Sequence, residues 1–148
     1  MRQVFNSKHF WVISSLLLMM AAGCIVYAQI VRELDCNIPF PFTAGNTRLP
    51  AGKYLIIVPD VSEPLILELQ SADGKISVLL QTNSFQPSMV PKTSDLFFNR
   101  IGKREFLREI GIQDRQYGYQ LAKSHDEVNL EKQNLKPERH RLTVKHVE

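Results

Sequence analysis

Imidazole, thiol and carboxylate groups are what this chain offers for catalysis or metal binding, and their spacing argues against both. His9 precedes an apolar N-terminal run, whereas His125, His140 and His146 all fall in the polar C-terminal part. His140 and His146 lie six positions apart among Lys and Arg, which fits neither a helical metal pair nor a zinc finger, and no cysteine accompanies them. The expectation is three solvent-facing histidines, no metal site and no cofactor. A catalytic triad can converge from distant positions, but a general base needs fixed geometry. A polar C-terminal part is expected to be the least rigid region.

There is no Gly-x-Ser-x-Gly elbow, no Gly-rich phosphate loop and no His-Glu-x-x-His. Asp60, Glu63, Glu68, Asp73 and Asp95 are the carboxylates from which a glycosidase pair would have to be drawn. Each sits at an expected turn or on an alternating strand, where solvated charge is the ordinary explanation. The chain therefore reads as a non-enzyme with no catalytic residues.

The N-terminus carries a more definite message. Arg2 and Lys8 precede an uncharged apolar run from Phe10 through Val26, and Val26-Tyr27-Ala28 places small residues where a signal peptidase requires them. Cleavage between Ala28 and Gln29 is expected, leaving a periplasmic or extracellular domain. Two alternatives stay open. Residues 10–31 are long enough to span a bilayer, and Met20-Ala21-Ala22-Gly23-Cys24 resembles a lipobox that would lipidate Cys24, although Ala21 stands where Leu is usual. Membrane contact is expected only through this segment or such a lipid.

Taking Arg2 and Lys8 from the 18 basic residues, against 15 acidic ones, brings the net charge from +3 to about +1. The remaining Lys and Arg are interleaved with acids, so nucleic acid is not an expected partner. Without Cys24, Cys36 has no disulfide partner and is expected to be a small buried residue on the first strand.

The elements expected after residue 28 are short apolar runs separated by turn residues, the pattern of a single all-β antiparallel sandwich or barrel. Candidate strands cover 36–42, 47–49, 54–58, 65–70, 76–82, 96–101, 105–110 and 117–121. Asp73-Gly74 and Gly102-Lys103 are expected hairpin turns, with Gly supplying the positive φ. Residues 83–94, with Pro87 and Pro91, are expected to form an irregular loop. Ser124-His125-Asp126-Glu127 has capping-box spacing and predicts a short helix from His125 to about Leu135. Its apolar face is thin, Lys136-Pro137 ends it, and 141–147 is expected as an edge strand or a tail. The domain organisation is thus a signal peptide over 1–28, a β domain over 29–123 and a helix with edge strand or tail over 124–148.

Aromatic residues fall on the expected strands and are read as core. Two rivals to a non-catalytic structural or binding module follow. A small-molecule carrier would need a barrel cavity lined by Phe40, Phe42, Tyr54, Phe98 and Phe106, and a hydrolase would need a histidine or paired carboxylates converging in a cleft.

Four blocks in order, Asn37-Ile38-Pro39-Phe40-Pro41-Phe42, Leu49-Pro50-Ala51-Gly52-Lys53-Tyr54, the stretch from Leu96 to Leu107, and Gly118-Tyr119-Gln120-Leu121, resemble a group of small exported bacterial β-domain proteins of uncharacterised function. That group shares a Val-Pro-Phe-x-Phe opening, a Leu-Pro-Ala-Gly-x-Tyr turn and a Phe-x-Arg-Tyr-Gly hairpin. The resemblance covers about residues 35–127 and implies export and a β fold, without a ligand or an active residue. This chain departs from it with Cys36 ahead of the first block, Ile101 in place of Tyr and Lys103 in place of an acid.

Overall fold

The computed structural model describes residues 32–58 and 66–147. Within them the elements run β1 (Arg32–Ile38), β2 (Phe42–Ala44), β3 (Thr47–Leu49), β4 (Gly52–Val58), β5 (Ile66–Ser71), β6 (Ser77–Phe85), β7 (Ser94–Ile101), β8 (Arg104–Gly111), β9 (Gly118–Leu121), α1 (His125–Lys132) and β10 (Glu138–Val147). Neighbouring strands follow the order β8-β7-β10-β1-β4-β5-β6-β9. β9 then returns to β8 through Glu109↔Gln120 and Ile110↔Tyr119. Eight antiparallel strands therefore close into a barrel, and the choice between sandwich and barrel falls to the barrel. The β2–β3 hairpin lies against it, with β2 parallel to β8 from Phe42↔Glu105 to Ala44↔Leu107.

The period of two builds the interior. On β1, buried Leu34, Cys36 and Ile38 alternate with exposed Asp35 and Asn37, and Leu67 and Leu69 on β5 repeat the pattern. Four aromatic rings meet edge-on in this core. Phe40 and Phe98 have centroids 5.2 Å apart, Phe42 and Tyr54 5.3 Å, and Phe42 and Phe98 5.8 Å, all nearly perpendicular. Edge-to-face pairs add about 0.5–1.5 kcal/mol each beyond their buried area. Tyr54 is wholly inside, and its hydroxyl donates to the Pro50 carbonyl at 2.7 Å, which ties β4 to the turn before it.

Several elements differ from the sequence expectation. The run 36–42 is two strands, because Pro39 and Pro41 cannot donate to a ladder and the chain breaks pairing there. The irregular stretch 83–94 shrinks to 86–93, since Asn83, Ser84 and Phe85 continue β6 to pair with β9 and Ser94 opens β7. The Asp73-Gly74 hairpin exists with Gly74 at φ 70°, and Ser71 N donates to Ile76 O, so the connection is Ala72–Lys75. Asp73 braces that loop. Its carboxyl is pulled down to about 2 by the Ser71 hydroxyl first, then by the Lys75 amide and ammonium.

The largest correction concerns the C-terminal part. β10 is neither an edge strand nor a tail but an interior stave, paired with β7 from Glu138↔Arg100 to Val144↔Ser94 and with β1 from Glu33↔Val147 to Asp35↔Lys145. Its polar composition misleads because a barrel wall keeps one face in water. Arg139 and Arg141 lie on that face, with Arg139 stacked over the Phe97 ring at 4.2 Å. The helix is also shorter than expected. Asn134 adopts a left-handed φ of 62° directly after the Gln133 cap, and its amide donates to Glu131 O.

The Gly102-Lys103 turn joins Ile101 to Arg104 as a two-residue loop with φ 62° at Gly102. A Cβ there would meet nothing within 4 Å, so the cost of substitution is backbone strain alone. Gly102→Val is expected to lower stability by about 1–3 kcal/mol, read as a shift of the urea midpoint at unchanged slope.

Candidate functional site

Ala28, Gln29 and Cys24, together with His9, Asp60 and Glu63, lie outside the described residues. Cys36 is fully buried on β1, its thiol facing the Leu34 carbonyl at 3.4 Å, and burial followed by the nearby Asp35 charge pushes it up to about 12. His125 is exposed at the start of α1, where its amide donates to the Asn46 side chain. Glu68 and Asp73 accept hydrogen bonds from neighbouring serines at the solvated end of the β5–β6 hairpin. Among the described residues no three His, Cys, Asp or Glu gather as metal ligands.

His140 departs from expectation. It is half-buried, with its ring 5.0 Å from Phe40 and 6.3 Å from Phe98. Strand register explains this placement, because His140 lies opposite Phe98, and Arg100 lies opposite Glu105 two residues further along β7. Arg100, Glu105 and His140 thus gather at the rim of the barrel above the aromatic core. Arg100 Nε donates to Glu105 Oε1, and His140 Nδ1 stands 3.1 Å from Arg100 Nη2 and 3.2 Å from Glu105 Oε1. Either imidazole tautomer gives that nitrogen a partner of the right sense. Glu105 is almost fully buried, and its second oxygen, Oε2, has no hydrogen-bond partner among the described residues.

A second buried carboxylate holds the helix. Ser124 accepts from the Glu127 amide at 3.1 Å, as a cap should, but the Glu127 side chain does not reach back to complete the box. It turns inward instead, accepting from Asn99 Nδ2 at 2.8 Å, with Arg108 Nε 3.7 Å away. Glu127 is the buried residue of α1, so the helix docks through a carboxylate where its apolar side chains are few. Arg108 reaches this position through an irregularity. Phe97 pairs with Glu109 and Phe98 with Leu107, which leaves Arg108 as the extra residue of a β-bulge. Its guanidinium also donates to the Leu121 carbonyl at the end of β9.

Asp95, expected to be a solvated charge, is instead the third buried carboxylate. It accepts from Thr143 at 2.8 Å, Arg141 at 2.8 Å and Thr93 at 3.0 Å, clamping β7 to β10. Burial alone would raise its pKa, but these three hydrogen bonds and the Arg141 charge outweigh burial and bring the carboxyl below its ordinary value.

A shallow groove of about 250 Å³ opens in the barrel wall beside β6. Val78, Leu79, Leu80 and Gln81 form one side, and the β2–β3 turn from Ala44 to Thr47 faces them, with Ala122 and Lys123 at the end. Sequence reading missed the buried roles of Glu105 and Glu127, as well as this groove. One signal was present: in Glu105-Phe106-Leu107-Arg108-Glu109-Ile110 the apolar positions break the period of two, as a bulge requires.

Removing the Arg108 charge should leave Glu127 buried and uncompensated. Arg108→Met is expected to cost about 3 kcal/mol, most of it recovered by adding Glu127→Gln, as measured by urea denaturation of both variants. A folded pKa depressed at Asp95 supplies stability that is complete above its unfolded value and is lost as pH falls through the folded one. Between pH 5 and pH 3 the wild-type urea midpoint should therefore fall further than that of Asp95→Asn. Comparison with known proteins adds no relative: no family model, curated protein or solved structure matches the chain.

Proposed function

We propose that the protein is an exported, non-catalytic structural or binding module of the cell envelope, freed from its signal segment by cleavage between Ala28 and Gln29. The observation that favours a structural or binding module over a carrier is the edge-on packing of Phe40, Phe42, Tyr54 and Phe98 across the barrel. These four rings were the expected lining of a carrier cavity, and they touch one another instead. Phe106, the fifth, lies beside Arg104, whose guanidinium carbon is 5.1 Å from its ring centre. The buried carboxylates favour the same reading, since Asp95, Glu105 and Glu127 each have an arginine beside them. Such pairing serves to hold strands and helix together.

Export rests on the charged start, the apolar run and Val26-x-Ala28. Intact mass and N-terminal sequencing of protein recovered from a bacterial envelope fraction are expected to show a start at Gln29. A start at Cys24 with added acyl mass would make the domain a tethered module, and a start at Met1 or Arg2 in the membrane pellet would defeat the proposal.

A further inference from the structure

β6 is nine residues long, and its two edges are unequally used. On one side β5 pairs with it from Gln70↔Ser77 to Ile66↔Gln81. On the other, β9 pairs only from Thr82↔Leu121 to Phe85↔Gly118, and the chain then turns away at Ala122 and Lys123. Among the described residues nothing pairs with the remaining edge, Ser77 to Gln81, of which Val78 to Gln81 border the groove. Its opposite wall, the β2–β3 turn, pairs with no residue of β6. Unused backbone donors and acceptors beside a groove are a template for another strand.

We infer that this seam is a docking site for an extended polypeptide segment of another protein, which adds to β6 in line with β9 and in the same antiparallel sense. The inference rests on reading the protein as a binding module. Its lining says what kind of segment fits. Leu79, 70% exposed, stands on the outer face between exposed Ser77 and Gln81, so an outward apolar side chain of the incoming strand would pack on it. On the inner face Leu80 lies near Gly45, where a Cβ would sit 3.7 Å from the Leu80 side chain, and Ala44 is small, so inward positions accept only small side chains. The occupant is a lone strand rather than a second barrel. The β2–β3 turn on one side and Ala122-Lys123 at the end recess the edge, and a second copy would present an edge recessed in the same way.

Backbone recognition makes the proposal testable without knowing the natural partner. The probe is a synthetic peptide of alternating Val and Ala, soluble through terminal lysines, with a control whose backbone is N-methylated at alternate residues. Residue-resolved hydrogen exchange on the mature protein should show saturable protection confined to Ser77–Gln81 below about 5 mM peptide. N-methylation should weaken binding at least about tenfold, and Leu79→Lys, at an exposed position, should weaken it without moving the urea midpoint. No protection at that concentration overturns the inference, as does protection elsewhere or indifference to N-methylation. Protection of the same amides that rises with protein concentration in the absence of peptide also overturns it, by making a second copy the occupant. None of these results bears on export, which stands or falls on the N-terminal mass.

Discussion

Two strands compete for one edge of β8, and most of the molecule follows from how that edge is divided. β7 takes the other edge along nearly its full length. On the contested side β2 pairs with Glu105 to Leu107, and β9 pairs with Glu109 and Ile110. Arg108 falls at the changeover, and the bulge there is what allows both arrangements. It resets the alternation so that Leu107 before it and Ile110 after it both enter the core cluster. The displaced side chain is then free to reach the Leu121 carbonyl and Glu127. Because β2 holds the first part of the edge, β9 is confined to four residues. A short β9 leaves about half of one edge of β6 without a strand partner among the described residues, and the groove lies there.

Charge inside this domain serves attachment. Asp95 fastens β10 to β7, Glu105 joins the β7–β8 hairpin to His140 on β10, and Glu127 fastens α1 over β7. A helix with few apolar side chains gains little from burial, so a hydrogen-bonded carboxylate is an alternative means of docking it. The arrangement is sensitive to change, since a buried charge that loses its partner costs more than the intact pair contributes. Surface pairs such as Arg104 with Asp126 lack that sensitivity, because water replaces either partner.

What was legible in the sequence is what depends on period and turn chemistry. Short apolar runs between turn residues marked most of the strands, Gly102 and Gly74 marked hairpins, and Ser124 marked the start of α1. What was not legible depends on partners distant in sequence. β10 reads as an edge strand or a polar tail because its neighbours β7 and β1 are known only once the barrel closes. His140 looks solvent-facing for the same reason, since Phe40 and Phe98 reach it from elsewhere in the chain. Glu127 was legible as a cap residue but not as a buried ligand of Asn99, because a capping box specifies local spacing and not what lies beneath the helix.

The place of β10 between β7 and β1 bears on the order of events during folding. β10 comes after every other strand in sequence, yet it bonds to the first, with Glu33 against Val147. Until it arrives, β1 and β7 each expose an unpaired edge, and the barrel remains an open sheet. Contacts between segments so far apart in sequence form slowly, so closure of the barrel waits on the arrival of β10. If the chain is exported as proposed above and crosses the membrane unfolded, late closure is compatible with transport, because no complete barrel forms before the last strand has followed.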